Sequence, residues 1–137
     1  MSARTITRED VARLVDEYQL LSELIASLQA QLSLVNDSIE ELRTALDGLK
    51  SLGQEAERYV HIGAGVYLKA SVDQSEVLTP LGASYYAFLD RQNAERILNE
   101  RLEELNNVKN NLESNLAKLG ERAAQIRDVL EQLGVIS

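Results

Sequence analysis

The sequence predicts a mainly α fold, a long antiparallel two-helix coiled coil with two β-hairpins, four short strands in all, at the bend between the helices. Residues 7–53 and 90–134 each carry apolar side chains in steps of three and four, which is the spacing of coiled-coil helices. Residues 59–89 lie between them and hold five of the six aromatic residues, which are favoured in strands. One short motif also occurs twice in that middle segment.

Composition limits the possible functions. A chain of 137 residues with 45% hydrophobic and 26% charged residues is expected to form one soluble domain, 1–137. The absence of cysteine excludes disulfides and thiolate metal sites and favours a reducing, cytoplasmic location. A net charge of −8 without a basic cluster argues against a nucleic-acid partner. No apolar run approaches a membrane span or a signal segment, so no membrane partner is expected.

The first helix has a well-marked start and an unbroken apolar seam. Thr7 is the predicted N-cap, with Asp10 as its capping-box partner. Every following step of three or four reaches an apolar residue from Val11 to Leu49. Gly53 is the predicted helix stop.

The middle segment contains two similar motifs, Ile62-Gly63-Ala64-Gly65-Val66-Tyr67 and Leu81-Gly82-Ala83-Ser84-Tyr85-Tyr86. Each predicts one hairpin, because small residues and positive φ angles suit tight turns and bulges. A polar turn at 73–76 separates them. Pro80 cannot donate a ladder hydrogen bond and is therefore expected at an edge or a bulge.

The second helix is expected to begin after Asp90 and to carry a seam from Leu98 to Leu133 that only Lys109 interrupts. Both seams end near the hairpins, so the helices can pack antiparallel. Pairing Leu49 with Leu98 also pairs Leu14 with Leu133, so one register aligns both seams.

No residues are predicted to be catalytic, cofactor-binding or metal-binding, and the chain is not expected to be an enzyme. His61 is the only histidine, so it has no histidine partner for a metal site or a catalytic pair, and it is expected on a strand face. Gly63-Ala64-Gly65 lacks the third glycine and the Lys-Ser/Thr pair of phosphate loops. Acidic pairs such as Glu40-Glu41 lie outside the seam and are expected to be solvated.

Two short hairpins have too few strands to bury the apolar face of their own sheet, and open strand edges favour pairing with other chains. We therefore expect this segment to join subunits. The predicted subunit interface consists of Val60, Ile62, Val66, Leu68, Ala70, Val72, Val77, Leu81, Tyr85 and Phe88.

Apolar residues beyond the seam occur toward the outer ends of both helices, at Val15, Leu20 and Leu24 and again near the C-terminus. Exposed apolar surface of this kind usually marks a contact site, although packing of the helix ends on each other is the alternative. The predicted contact site consists of Val11, Leu14, Val15, Leu21, Val129, Leu130, Leu133, Val135 and Ile136.

With two heptad helices and the doubled motif at 62–67 and 81–86, the chain resembles the archaeal prefoldins, and among them the α-type subunits. The resemblance covers essentially the whole chain. Two positions depart from the family pattern, His61, where proline is frequent, and Ser84, which replaces the second glycine of the second turn.

The resemblance implies an ATP-independent co-chaperone that needs no cofactor. Two α-type and four β-type subunits would form a hexamer through a β-barrel platform built from the hairpins. The coiled-coil tips would hold non-native polypeptide clients and pass them to a group II chaperonin, so the predicted contact site would be client-binding. The alternative is a structural coiled-coil tether or dimerisation module with no client binding.

Overall fold

The computed structural model describes residues 5–52 and 57–136. The element order is α1 (Arg8–Lys50), β1 (Glu57–Gly63), β2 (Val66–Ser71), β3 (Val77–Gly82), β4 (Tyr85–Leu89) and α2 (Arg91–Gln132). The predicted class, two long helices with four short antiparallel strands in two hairpins, is confirmed.

Both helices begin at the predicted caps. The Thr7 amide donates to Asp10 Oδ2 at 3.1 Å, and the Asp10 amide donates to Thr7 Oγ1 at 3.2 Å, which is a reciprocal capping box. Hydrogen bonding with Thr7, through its backbone amide first and its side chain second, holds the pKa of the Asp10 carboxyl below its ordinary value. At α2 the Asn93 amide donates to Asp90 Oδ1 at 2.9 Å, so Asp90 satisfies a first-turn donor there.

The helix ends are less predictable from sequence. α1 ends at Lys50, and the predicted stop Gly53 lies outside the described residues. α2 ends at Gln132, two residues before the predicted limit. Gly134 has a φ of +70°, and the amide of Val135 donates to Leu130 O at 3.0 Å. This closure, with glycine in the left-handed region, is a Schellman motif.

The strands form two separate two-stranded antiparallel sheets, β1–β2 and β3–β4. Register shifts lie between His61 and Gly63 and between Pro80 and Gly82. Pro80, expected at an edge or a bulge, therefore borders an irregularity of the ladder. The two-residue loops that follow both have positive φ, including +49° at Ala83 and +66° at Ser84. These loops match the primed turns that suit the twist of hairpins.

The described chain clusters into two compact units. We call Met1–Asn36 with Asn107–Ser137 the helix-end unit, and Asp37–Asn106 the hairpin unit. In the hairpin unit the buried cluster consists of Leu46, Leu49, Ala94 and Leu98, with Leu42, Leu52, Val77, Leu89 and Leu102 packed against it. In the helix-end unit Ile126 and Leu130 are buried.

The pairing of the two seams differs from the predicted register. In the helix-end unit Arg122 Nε and Nη2 donate to the two carboxylate oxygens of Glu17 at 2.9 and 3.1 Å. The predicted register would place these residues about eight positions apart along the axis, about 12 Å. A shift of three residues places Tyr18 opposite Ile126 and leaves Glu17 and Arg122 about five positions apart along the axis, about 7.5 Å. The two long side chains span that distance. In this shifted register seam residues of α1 lie opposite seam residues of α2, as the packing of antiparallel helices favours.

The hairpin unit shows the same shift. Ala94 is fully buried beside Leu46 and Leu49, although it precedes the predicted seam by one turn. With the seams shifted by three residues, Leu98 lies opposite Leu46, and Ala94 reaches the level of Leu49. An alanine there is small enough for the helices to approach closely where the hairpins join them.

Candidate functional site

The β1–β2 hairpin carries an apolar face that the chain itself leaves exposed. Val60 lies opposite Leu68, and Val66 is on the same side of the ladder. All three side chains are about half exposed, as is Ile62. This alternation is what the predicted subunit interface requires, while Ala70 and Val72 are half-buried.

The other face of β1–β2 is polar and aromatic. His61 lies opposite Tyr67, and their ring centroids are 5.1 Å apart. Lys69 Nζ is 3.0 Å from Glu57 Oε2 on the same face. His61 therefore occupies a strand face beside an aromatic ring, as the sequence predicts, and contributes a cross-strand contact.

The β3–β4 hairpin is anchored to the helices by one face. Val77 and Leu89 pack against the buried cluster of the hairpin unit. Thr79 is 2% exposed, and its hydroxyl donates to Val77 O at 3.1 Å. Val77, which the sequence assigns to the subunit interface, thus packs within its own chain.

The opposite face of β3–β4 is exposed and strongly apolar. Leu78 lies opposite Phe88, and Pro80 lies opposite Tyr86. Phe88 is 67% exposed and Tyr85, at the turn, 72%. Leu78 and Tyr86 belong to this surface although the sequence prediction omits them. Strand alternation places them on the same face as Phe88. Both faces of this hairpin are apolar, however, so alternation alone does not show which face is exposed.

A cavity of about 680 Å³ lies between β3 and the two helices of the hairpin unit. Leucines of both helices line it, together with Val77 and Pro80 of β3. The polar residues that line it are Ser38, Glu41, Thr79 and Arg101. Nearby, Arg91 Nη1 donates to Leu52 O at 2.8 Å and Nε to Glu95 Oε1 at 3.0 Å. The start of α2 is therefore tied to the end of α1, beneath the anchored hairpin.

The structure divides the predicted contact site at the helix ends into two classes. Leu130 is only 1% exposed, so it is a core residue and not a surface for a partner, because it fills the seam between the helices. Leu133 and Val135 are exposed. The remaining predicted residues are half-buried: Val11, Leu14, Val15, Leu21, Val129 and Ile136.

Ile6, which the sequence prediction of the site omits, is also exposed in this unit. It helps to line a cavity of about 590 Å³ together with Leu14, Val129 and the charged residues Asp10, Arg13 and Arg122, besides Thr5. Its place before the Thr7 cap is the signal that could have identified it, because an apolar residue preceding an N-cap packs near the first turns of the helix. The helix-end unit thus presents apolar side chains beside charged groups.

The ion pair between Glu17 and Arg122 lies beside this cavity. The Arg122 guanidinium lowers the pKa of the Glu17 carboxyl through its hydrogen bond and its charge, and Glu17 raises the pKa of Arg122 in return. Both side chains remain largely exposed, so solvent screens the attraction and the pair mainly orients the helices.

Within residues 5–52 and 57–136, no group of three or more His, Asp or Glu side chains is arranged to hold a metal ion. No helix there has the length and apolar content needed to cross a membrane.

Comparison with known proteins gives a consistent result. Residues 21–135 match the family model described as prefoldin subunit. A protein named prefoldin subunit alpha from Pyrobaculum calidifontis is 58% identical over 132 residues, which cover 96% of this chain and 98% of the relative. Its namesake from Sulfurisphaera tokodaii is 33% identical over 87% of this chain and 81% of the relative.

Among solved structures, the cryo-EM structure of filamentous PFD from Methanocaldococcus jannaschii is similar to this chain. It is 22% identical and covers 92% of this chain and 99% of its own, with a TM-score of 0.46.

Proposed function

This chain belongs to the prefoldin family, and we propose its function on that basis. The family makes it a co-chaperone subunit, and its relatives at more than half identity are named prefoldin subunit alpha. We propose that it captures non-native proteins at the helix-end unit without ATP and passes them to a group II chaperonin. The role requires no cofactor and no enzymatic step, and we place it in the cytoplasm.

The exposure of apolar side chains at the helix ends is the observation that supports client capture. Ile6, Leu133 and Val135 are each close to half exposed. Non-native proteins also expose apolar side chains, and their burial against such a surface is favourable by about 25 cal/mol per Å². The charged groups at the cavity keep this surface hydrated between encounters, which suits reversible holding of varied clients.

Assembly is the second part of the proposal. A two-stranded sheet is marginally stable alone, and its outer edges have unpaired backbone groups. Both hairpins of this chain expose apolar faces next to such edges. We propose that these faces join two copies of this chain and four β-type subunits through a β-barrel platform, with neither nucleic acid nor a membrane as a partner.

Client capture is tested by a triple variant, Ile6→Ser with Leu133→Ser and Val135→Ser, in the complex with β-type subunits. A chemically unfolded test protein is diluted into buffer, and its aggregation is followed by light scattering. We expect the variant complex to suppress aggregation less well than the unmodified one. Ala26→Ser with Ala30→Ser, at two exposed α1 positions, is the matched control and is expected to change nothing.

The alternative is a structural tether whose hairpins pair only with themselves. Native mass measurement with and without β-type subunits separates the two functions, because a tether forms closed homo-oligomers and ignores the β-type chains. A tether would also leave aggregation of the test protein unchanged at any concentration. Transfer is tested separately, by adding a group II chaperonin to a loaded complex and measuring the release of the labelled client.

A further inference from the structure

The first helix carries a second stripe of uncharged residues, outside the seam that packs on α2. We call Leu20, Leu24, Ser27, Gln31 and Leu34 the outer stripe. Their spacing repeats the four-and-three steps of a heptad, so they lie along one side of the helix. All five are exposed, Leu20 by 66% and Leu34 by 68%.

The ion pair of the helix-end unit shows on which side of the two helices this stripe lies. Glu17 and Arg122 meet across the helices, and Gln31 lies two heptads after Glu17. Val108 lies two heptads before Arg122 and is itself exposed. Residues separated by whole heptads lie on the same side of a coiled-coil helix. Val108 of α2 therefore lies on the same side of the two helices as the outer stripe and extends its apolar surface.

The spacing indicates a helical occupant. The stripe spans about 21 Å at 1.5 Å per residue, with leucines at both ends. In an extended chain every second side chain lies on the same face. In a helix, side chains three and four residues apart share a face, and they fit between the side chains of a heptad stripe. A third helix lying along α1 would therefore bury all three leucines at once.

The charges around the stripe indicate what kind of helix fits. Between Arg13 and Arg43, α1 contains no Lys or Arg, and the exposed acids Asp16 and Glu23 flank the stripe. Arg122, a cation on this side, is already held by Glu17. A second copy of α1 would bring the same acids against these ones, which is unfavourable, whereas a basic helix would be attracted.

On α2 the residues next to Val108 on this side are Asn111 and Asn115, which are polar and uncharged, and Lys118 lies beyond them. Lys118 therefore lies at the α2 edge of the apolar surface, and Asp16 and Glu23, which flank the leucines, lie at its α1 edge. A basic helix is accordingly expected to lie over α1 and Val108.

We propose that the outer stripe binds an amphipathic α-helix whose apolar heptad positions are flanked by Lys and Arg. Such a helix is a segment of a partly folded protein that has already formed its secondary structure. The stripe is distinct from Ile6, Leu133 and Val135, so this binding goes beyond the capture of unfolded chains at the helix ends.

The probe is a synthetic peptide of about three Leu-Lys-Lys-Leu-Leu-Lys-Leu repeats, long enough to match the stripe. Binding to the assembled complex is measured by calorimetry, and the helix content of the peptide by circular dichroism. One control peptide has the same composition in an order that spreads the leucines around the helix. Another has Glu in place of Lys. We expect tight binding with increased helicity for the first peptide alone.

The protein variant is Leu20→Gln with Leu24→Gln and Leu34→Gln, which keeps good helix formers while removing the apolar surface. We expect it to weaken binding of the basic peptide by at least about tenfold, as loss of central apolar contacts commonly does. The matched control, Ala12→Gln with Ala26→Gln and Ala30→Gln, alters exposed positions elsewhere on α1 and is expected to bind the peptide normally.

Three results would overturn the proposal. Equal binding of the reordered peptide would show that only charge is recognised, and unchanged binding by the leucine variant would place the peptide elsewhere. A smaller native mass for the leucine variant would show that another subunit covers the stripe. Failure of client capture is seen separately, because the Ile6, Leu133 and Val135 variant alters aggregation of the unfolded protein and is expected to leave peptide binding unchanged.

Discussion

At the residue scale, Ser84 shows how a position in a turn can be strained without affecting the fold. Its φ of +66° lies in the left-handed region, where a side chain other than glycine costs about 1–2 kcal/mol. The equivalent position in the first hairpin is Gly65, with a φ of +78°. The same turn is therefore built with glycine once and with serine once.

Ser84→Gly is expected to stabilise the chain by roughly 0.5–1 kcal/mol, the relief of strain being partly offset by a more flexible unfolded chain. Chemical denaturation followed by circular dichroism measures the change. The matched control is Gly65→Ser, which places serine in the equivalent turn and is expected to destabilise. If Ser84→Gly lowered stability, the serine side chain would have to contribute a favourable interaction at the turn.

The cap of α1 makes a prediction about pH. Hydrogen bonds from Thr7 lower the pKa of Asp10 in the folded chain. This interaction therefore stabilises the folded state above the ordinary pKa of a carboxyl, near 3.8. The stabilisation is lost as the pH falls through the lowered value.

Thr7→Ala removes the Thr7 hydroxyl but keeps its backbone amide, the larger cause of the lowered pKa of Asp10. The pKa of Asp10 is therefore expected to rise only part of the way toward its ordinary value. Titration of the Asp10 carboxyl carbon by NMR measures this in both proteins. Asp73, whose pKa is lowered by Ser75, serves as an internal control that should not move. An unchanged pKa of Asp10 would show that the Thr7 hydroxyl does not contribute and that the Thr7 backbone amide alone holds the charged form.

At the element scale, Lys109 interrupts the seam of α2. Its side chain is 35% exposed, with Nζ 4.0 Å from Glu113 Oε1, so the ammonium reaches outward while the methylene stem lies in the seam. Lys109→Leu is expected to stabilise the helices by roughly 1 kcal/mol through added apolar burial. The melting temperature by circular dichroism is the measurement, and a fall would show that the lysine contributes more by its charge than leucine does by packing.

The β1–β2 hairpin is the element on which the assembly proposal depends. Val66→Asp with Leu68→Asp places two charges on its exposed apolar face, and burying them between subunits is strongly unfavourable. We expect normal helix content by circular dichroism but no hexamer by native mass. Tyr59→Asp with Tyr67→Asp places the same two charges on the opposite, exposed face of the hairpin, across from Lys69 and His61, and is the control. Normal assembly of the first variant would mean that this face does not join subunits.

At the scale of the whole molecule, deletion of residues 1–17 and 131–137 tests the helix ends together. The deletion removes Ile6, Leu133 and Val135 but leaves the hairpin unit intact. Assembly is expected to persist while suppression of aggregation weakens in part, because in the proposed complex the tips of the β-type subunits would also hold the client. Native mass confirms the hexamer before light scattering is measured. Full suppression by the shortened complex would assign capture to the other subunits or to other surfaces of this chain.

Features that depend only on neighbouring residues could be predicted from the sequence. Thr7 and Asp90 mark the helix starts because a cap needs only the next three residues. The doubled glycine motif marks both hairpin turns because a turn depends on the φ angles of its own residues. The placement of Val60, Val66 and Leu68 on one face of the hairpin follows in the same way from strand alternation.

Which apolar surfaces are left exposed depends on how the elements pack, and the sequence pattern does not show it. Val77 and Leu78 are adjacent and similarly apolar, yet Val77 packs on the helices and Leu78 does not. Leu130 and Leu133 both fit the heptad, but only Leu130 is buried. The seam register also depended on contacts between distant residues, such as Glu17 with Arg122. In each case several arrangements satisfy the local pattern, and the packing of elements far apart in sequence selects one of them.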